Sequence, residues 1–295
     1  MVIGVTGAGG QLGGHILDEL LARGLKGADI IAISRSPEKL QRFADKGVQL
    51  RKGDFDDAAG LVTAFKGIDR LLIVPTSDLR PGIRLPQHKN AITSAKQAGV
   101  KHLVYISTLG AHRGQDLFTT HIETELAVFA SGLPWTILRM GMYYDNLWMG
   151  TIQYALTAGV YAATAPTPAA NVARTDVAAA AAALVAASGF NGYIYHATGP
   201  AAQTPAEIAA TIAAVFGKKV DAVTVTQDQF DGALKGAGLP DFAVDAIGGI
   251  EAARARGMLD LVTHDIEYLT GRKAQTLAEY LAATKHLAEA KPAGH

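Results

Sequence analysis

Apolar positions along the first two hundred residues alternate between two spacings. Short runs of aliphatic and β-branched residues, "VIGVT" (2–6), "DIIAIS" (29–34), "VQLRKGD" (48–54), "RLLIVP" (70–75), "HLVYIS" (102–107) and "PWTILRM" (134–140), read as buried strands. Helical spacing fills the gaps. Leu12, Ile16, Leu17, Leu20 and Leu21 form a stripe in 11–24. A segment over 36–47 opens on Ser-Pro and closes on Gly47, and two more helices are expected over 56–66 and 86–99. Strands separated by ten to fifteen helical residues imply crossover connections and an α/β fold, a Rossmann-type doubly wound parallel sheet.

The pattern loosens after residue 140. Residues 141–172 read as turns and a loop, "RTDVAAAAAALVAA" (174–187) as a packed helix, and "GYIYHATG" (192–199) as a seventh strand of the sheet. A helix from Pro205, a short strand "DAVTVT" and mainly helical sequence follow. The expected division is therefore interleaved. Residues 1–140 plus 172–200 form the nucleotide-binding domain, and 141–171 plus 201–295 a smaller substrate lobe.

Composition narrows the function class. Of 295 residues, 27 are basic and 27 acidic, with no long run of either sign, which argues against a nucleic-acid footprint. No apolar run reaches the roughly 20 residues that span a bilayer, and no secretion signal is read, so a soluble cytoplasmic protein is expected. There is no Cys, and the nine His show no metal-ligand spacing, so no metal is expected.

The most informative stretch is "VTGAGGQLGG" (5–14), at the first strand–helix junction. The register G-x-G-x-x-G from Gly7 fails at Leu12, whereas G-x-x-G-x-x-G fits Gly7, Gly10 and Gly13. A P-loop is excluded, because His15 stands where Lys is required. In the surviving register Gly7 turns the chain, Gly10 lets backbone N–H groups approach a pyrophosphate, and Gly13 lets the helix pack closely. Gly9 and Gly14 fall outside it. The helix N-terminus adds partial positive charge. The second strand ends in Ser34-Arg35 instead of Asp or Glu; an Arg fork suits the 2′-phosphate of NADP(H), with Lys39 one turn on. Asp54 and Phe55 in "GDFDD" end the third strand, facing the adenine, and Pro75, Thr76 and Ser77 end the fourth.

"TGAGGQLGG", "ISRSPEKL", "GDFDD", "QHKNAITSAKQAGVKHLVYIST", "HIETE" and "SGLPWTILRMGMYYDN" together resemble the NmrA-like, atypical short-chain dehydrogenase/reductases, especially their quinone-reducing members. The resemblance implies an NADP-binding Rossmann domain with substrate in the cleft beside a small lobe. It further implies cofactor contacts at Gly7, Ala8, Gly9, Gly10, Gln11 and Leu12, at Arg35, at Pro75–Ser77, and at Met140, Gly141, Met142, Tyr143, Tyr144 and Asp145. Some members only sense the dinucleotide and act through a protein partner, so the alternative to an enzyme is an NADP(H)-sensing regulator.

A typical short-chain dehydrogenase carries Ser on the fifth strand and Tyr-x-x-x-Lys on the next helix. Here Ser107 is present, but His121 and Glu125 replace the pair. Glu125, one turn on, would favour the imidazolium form of His121. Thr120 with Glu123 reads as a capping box that puts His121 in the first turn, where the helix dipole opposes protonation. His121 is thus either a proton-transfer group or a histidine with a structural hydrogen bond. Ile122, Leu126 and Phe129 read as the core stripe of that helix. Tyr143 is a candidate donor or stacking platform beside the nicotinamide, with Tyr144 and Asn146 as neighbours. Hydride addition to a quinone-like small molecule tolerates the altered pair, because the hydroquinone anion is stabilised by its ring, unlike an alkoxide. The expected activity is therefore NADPH-dependent reduction of a quinone-like acceptor.

Overall fold

The apolar runs of the first half assemble into one sheet. In the computed structural model, which describes residues 1–288, its strands are β1 (Ile3–Val5), β2 (Ile30–Ser34), β3 (Gln49–Lys52), β4 (Arg70–Ile73), β5 (His102–Thr108), β6 (Trp135–Met140) and, past a second-lobe strand β7 (Val160–Ala163), β8 (Tyr193–Ala197). The order is β3-β2-β1-β4-β5-β6-β8 and every pairing is parallel, with Ile3 in register with both Ile30 and Arg70. Helices cover both faces, so β4 and β5 are buried along their whole length, which is why they read as unbroken apolar runs. The chain moves outward from β1 to β3 and then returns to β4 on the other side of β1. The carboxyl ends of β1 and β4 are thus the point where open sheets of this order bind their ligands.

The crossovers are α1 (Gln11–Ala22), α2 (Gln41–Ala44), α3 (Ala58–Phe65), α4 (Arg84–Gln97) and α5 (Asp116–Ala130). Then come α6 (Thr151–Ala158) and the alanine-rich α7 (Arg174–Ala186), buried from Val177 to Val185 and packed on α1. Its small side chains let the two helices approach closely. The smaller lobe joins β7 to β9 (Asp221–Thr224) in a two-stranded parallel sheet packed with α6 and α8 (Pro205–Phe216), while α9 (Gln227–Gly236) and α10 (Asp241–Ala255) pack on each other. The remaining helices are α11 (Asp265–Thr270) and α12 (Leu277–Ala283).

Four expectations change. The helix over 36–47 is a 3-10 turn at Pro37–Leu40 followed by the one-turn α2. Residues 141–172 are not only loop: α6 and β7 lie there, and β7 forms through Asp221, sixty residues on, a pairing no local pattern reveals. α11 leaves the smaller lobe and packs on α7 and β8, with Ile266 in the core of the large sheet. Finally, α5 starts at Asp116, with the Gln115 side chain accepting from the Phe118 N–H at 3.2 Å, so Thr120 is inside the helix and does not cap it. Residues 289–295, assigned to the second lobe above, lie outside the described residues.

Candidate active site

At the glycine loop, close approach decides each position. Gly7 has φ 61°, and its carbonyl accepts from Gly10 N at 2.9 Å. A Cβ on Gly13 would meet the Gly7 oxygen at 2.3 Å, so helix and loop touch backbone to backbone. Gly9 also earns its place, since a Cβ there would lie 2.8 Å from Ser34 Oγ, whereas one on Gly14 would meet only Arg42 Nη2 at 3.4 Å. Ala8 and Leu12 are buried beneath the loop. α1 begins without a side-chain cap or an acidic first turn, which leaves the N–H groups of Gln11, Leu12 and Gly13 for an anion. These features fit a dinucleotide pyrophosphate.

Arg35, exposed just past β2, makes no hydrogen bond or ion pair among the described residues. Nearby Asp78 is gripped by Arg80, whose guanidinium pulls that carboxyl down to about 2, with a smaller pull from Arg35. The end of β2 therefore faces the loop after β4. Asp54 accepts from Asp56 N at 3.1 Å, and the half-buried Phe55 meets His88 edge-on.

The loop after β4 is tied to a buried polar network that no motif announced. Thr76 N–H donates to His88 Nε2 at 3.1 Å, and the Thr76 carbonyl accepts from Arg84 Nη1 at 2.6 Å. Arg84 Nη2 lies 3.0 Å from His121 Nε2, and His121 Nδ1 lies 2.9 Å from the Tyr105 hydroxyl. His88 Nδ1 is 3.0 Å from Thr124 Oγ1, to which Tyr105 also bonds, and Thr124 donates to the Thr120 carbonyl at 2.7 Å. A guanidinium and a peptide N–H can only donate, so both Nε2 atoms are acceptors and both Nδ1 atoms carry the proton. His121 therefore donates to Tyr105 and Tyr105 to Thr124, whose hydroxyl then has one donation and two acceptances. Every proton in the chain is assigned.

This overturns the expected protonation of His121. The side chain is 3% exposed, and burial with the adjacent Arg84 charge holds it well below the usual histidine range. Burial and Arg84 likewise press His88 down to about 3. Glu125 is not its counter-ion; it binds Arg139 of β6 through two bonds, 2.9 and 2.6 Å, in a pair whose carboxylate is fully buried. The expected apolar stripe holds only in part: Phe129 packs against the core and Ile122 is half-buried, but Leu126 is 41% exposed, and α5 turns Phe118, His121, Thr124, Glu125 and Val128 inward. Ser107 is fully buried, its hydroxyl without a hydrogen-bond partner among the described residues.

Beyond β6 the segment 140–145 divides between the lobes. Met140 and Tyr143 pack on the core of the large sheet, Met142 on the interlobe cluster around Leu109 and Phe118, and Tyr144 in the smaller lobe, 5.5 Å from the Tyr280 ring. A Cβ on Gly141 would meet the Ala170 oxygen at 2.2 Å. Arg174, at the start of α7, ties this segment to the glycine loop. Its guanidinium bonds Gln11 Oε1, pairs with Asp145 at 3.1 Å and lies 4.7 Å over the Tyr143 ring. The Tyr143 hydroxyl makes no hydrogen bond among the described residues, and burial pushes its pKa up, so it stays protonated. Arg174 was missed because a lone Arg before an alanine run carries no signal. Arg84 and His88 share a helix face by spacing, but nothing local says what that face meets.

A pocket of about 250 Å³ opens beside this network. It is lined by Leu79, Pro81 and Arg84, by Gln115 and Leu117 at the start of α5, and by Phe242, Asp245 and Ala246 of α10. Among the described residues no helix is long and apolar enough to cross a membrane, and no group of three potential ligands could hold a metal ion.

Residues 7–188 match the NAD(P)H-binding family. The chain is 36% identical to quinone oxidoreductase 2 of Escherichia coli (strain K12) over 280 residues, 94% of this chain and 96% of that one. It is 29% identical to the NAD(P)H azoreductase of Xenophilus azovorans over 95% of this chain and 96% of the relative. The crystal structure of the Escherichia coli quinone oxidoreductase complexed with NADPH superposes with a TM-score of 0.91 at 35% identity, covering 96% of this chain and all of that one. Triphenylmethane reductase of Citrobacter sp. complexed with NADP(H) gives 0.87 at 29%, covering 96% and 99%. The glycine loop, the parallel sheet order and these likenesses agree: the chain belongs to the NAD(P)H-binding family, as an NmrA-like member of the atypical short-chain dehydrogenase/reductases, and is an NADP(H)-dependent reductase.

Proposed function

We propose that this reductase acts on a quinone-like acceptor bound in the pocket between the loop after β4 and α10. The observation that carries the reading is the state of His121, at the position of the proton donor in a typical short-chain dehydrogenase. Its Nε2 accepts from Arg84 and its Nδ1–H is committed to Tyr105, so it has no proton to give. A reductase with no acid there is suited to an acceptor whose reduced anion is stable. The names of the Escherichia coli and Xenophilus azovorans relatives, a quinone and an azo reductase, support an unsaturated, conjugated acceptor.

NADP(H), when bound, supplies the hydride. The acceptor gains two electrons and one proton with it and takes a second proton from water, leaving as the hydroquinone. The protein's part is to bind and orient. Gly7, Gly10 and Gly13 admit the pyrophosphate to the N–H groups opening α1, and Arg35 takes the 2′-phosphate. Asp54 and Phe55 border the adenine, and Pro75–Ser77 form the floor beneath the dinucleotide. Tyr143, fixed under Arg174, is the stacking platform beside the nicotinamide.

Steady-state oxidation of NADPH tests this with a panel of quinones, azo dyes, aldehydes and ketones. Turnover concentrated on the quinones is expected. Aldehyde or ketone reduction at comparable kcat/KM would overturn it, because those products need the missing acid.

A further inference from the structure

Arg84 belongs at once to the buried network and to the pocket wall. Its two terminal nitrogens are each fixed by an acceptor, Nη1 by the Thr76 carbonyl and Nη2 by His121 Nε2, so the plane of the guanidinium is set before any ligand arrives. His121 can act as that acceptor only in one tautomer. The relay through Tyr105 to Thr124 enforces it, since Thr124 already donates to the Thr120 carbonyl and accepts from His88. A protonated His121 would lose the lone pair and present its charge to Arg84.

From this arrangement we infer that Arg84 is the acceptor-binding residue, meeting the oxygen that becomes negative, and that His121 is the positioning residue that aims it. The inference rests on the reading that a hydride acceptor occupies this pocket. A cation fixed in the pocket lining stabilises developing anionic charge without transferring a proton. It therefore does the electrostatic part of what a Tyr–Lys pair does and leaves protonation to solvent. Asp245, exposed on α10, is a negative charge in the same pocket lining.

Calorimetric binding of naphthoquinone and of its sulfonated anion to the full-length protein, saturated with NADP⁺ so that no turnover occurs, tests the assignment. Arg84→Met is expected to weaken the anion about tenfold more than the neutral quinone, the contribution of one charge-assisted contact. Loss of the Thr76 contact would weaken both alike, so the ratio isolates the acceptor. Asp245→Asn, which leaves the network intact, should raise the anion preference about two- to fivefold, as expected for removing one partly screened like charge. His121→Gln, whose amide oxygen can still accept, should keep the ratio and the wild-type pH profile of kcat/KM, whereas His121→Phe should lose the ratio. Equal weakening of both ligands in Arg84→Met, or no response to Asp245→Asn, overturns Arg84 as the acceptor-binding residue. Loss of one limb of the pH profile in His121→Gln makes that residue an acid and overturns positioning. If anion selectivity behaves as expected but no quinone is turned over, the acceptor reading fails while Arg84 stands as the pocket's anion-binding group.

Discussion

Gly13 and Gly14 are neighbours of one residue type in one helix, yet a methyl group means opposite things at the two sites. At Gly13 it would press into the Gly7 oxygen at 2.3 Å and the Ala8 Cα at 2.8 Å, both backbone atoms that cannot swing away. Gly13→Ala should therefore destabilise the fold by about 1–3 kcal/mol and weaken NADPH binding, measurable by denaturant titration and cofactor fluorescence. At Gly14 the methyl would meet only the end of a flexible Arg42 at 3.4 Å. Gly14→Ala should be neutral or stabilising by up to about 1 kcal/mol, from helix propensity. Arg35→Asp should raise the NADPH dissociation constant about 10- to 100-fold, the worth of a charge-assisted phosphate contact, and that of NADH far less. Equal effects on both cofactors would remove Arg35 from the phosphate site.

At the scale of elements, α5 shows how a helix can bury polar residues among the apolar ones of its inner face, where His121, Thr124 and Glu125 lie with Phe118 and Val128. Its spacing recommends Ile122, Leu126 and Phe129, but the sheet below presents Tyr105 on β5 and Arg139 on β6, and both need polar partners. Leaving a buried phenol or a half-buried guanidinium unpaired costs more than exposing one leucine, so the helix turns His121 and Glu125 inward. Glu125→Gln should then cost about 1–3 kcal/mol of stability, because the amide keeps one acceptor for Arg139 but loses the charge, and melting with and without NADPH checks it. The motif "HIETE" marked the right helix and the right two residues. It could not identify their partners, because Arg84, Tyr105 and Arg139 reach them from three other elements.

For the molecule as a whole, the buried histidines set an acid limit. Burial holds His88 to about 3 and His102 to about 4, and His121 is lowered as well, against 6.5 in the unfolded chain. Above pH 6.5 both states are neutral at these sites and stability does not depend on them. As pH falls from 6.5 toward 4 and then 3, the unfolded chain takes up protons that the folded chain refuses, and stability is lost. Denaturant unfolding at pH 4.5 should give a free energy lower by a few kcal/mol than at pH 7. His102→Gln, which can still reach Thr136, should reduce that difference. A pH-independent midpoint would show that these side chains are more accessible than their burial implies.

The sequence by itself determined what short-range physics controls. Strands buried on both faces are continuous apolar runs, a backbone-to-backbone contact demands glycine, and the second strand ends in Ser34-Arg35 with no carboxylate to repel a 2′-phosphate. These signals lie within a few residues of one another, so the nucleotide-binding half was legible. Tertiary structure alone decided the proton on His121, the partner of Glu125, the joining of Arg174 to Tyr143 and the strand formed by Val160–Ala163. Each depends on groups brought together from distant elements. A side chain's charge and hydrogen-bonding role follow from what surrounds it in space, and neighbours in the chain do not specify those surroundings.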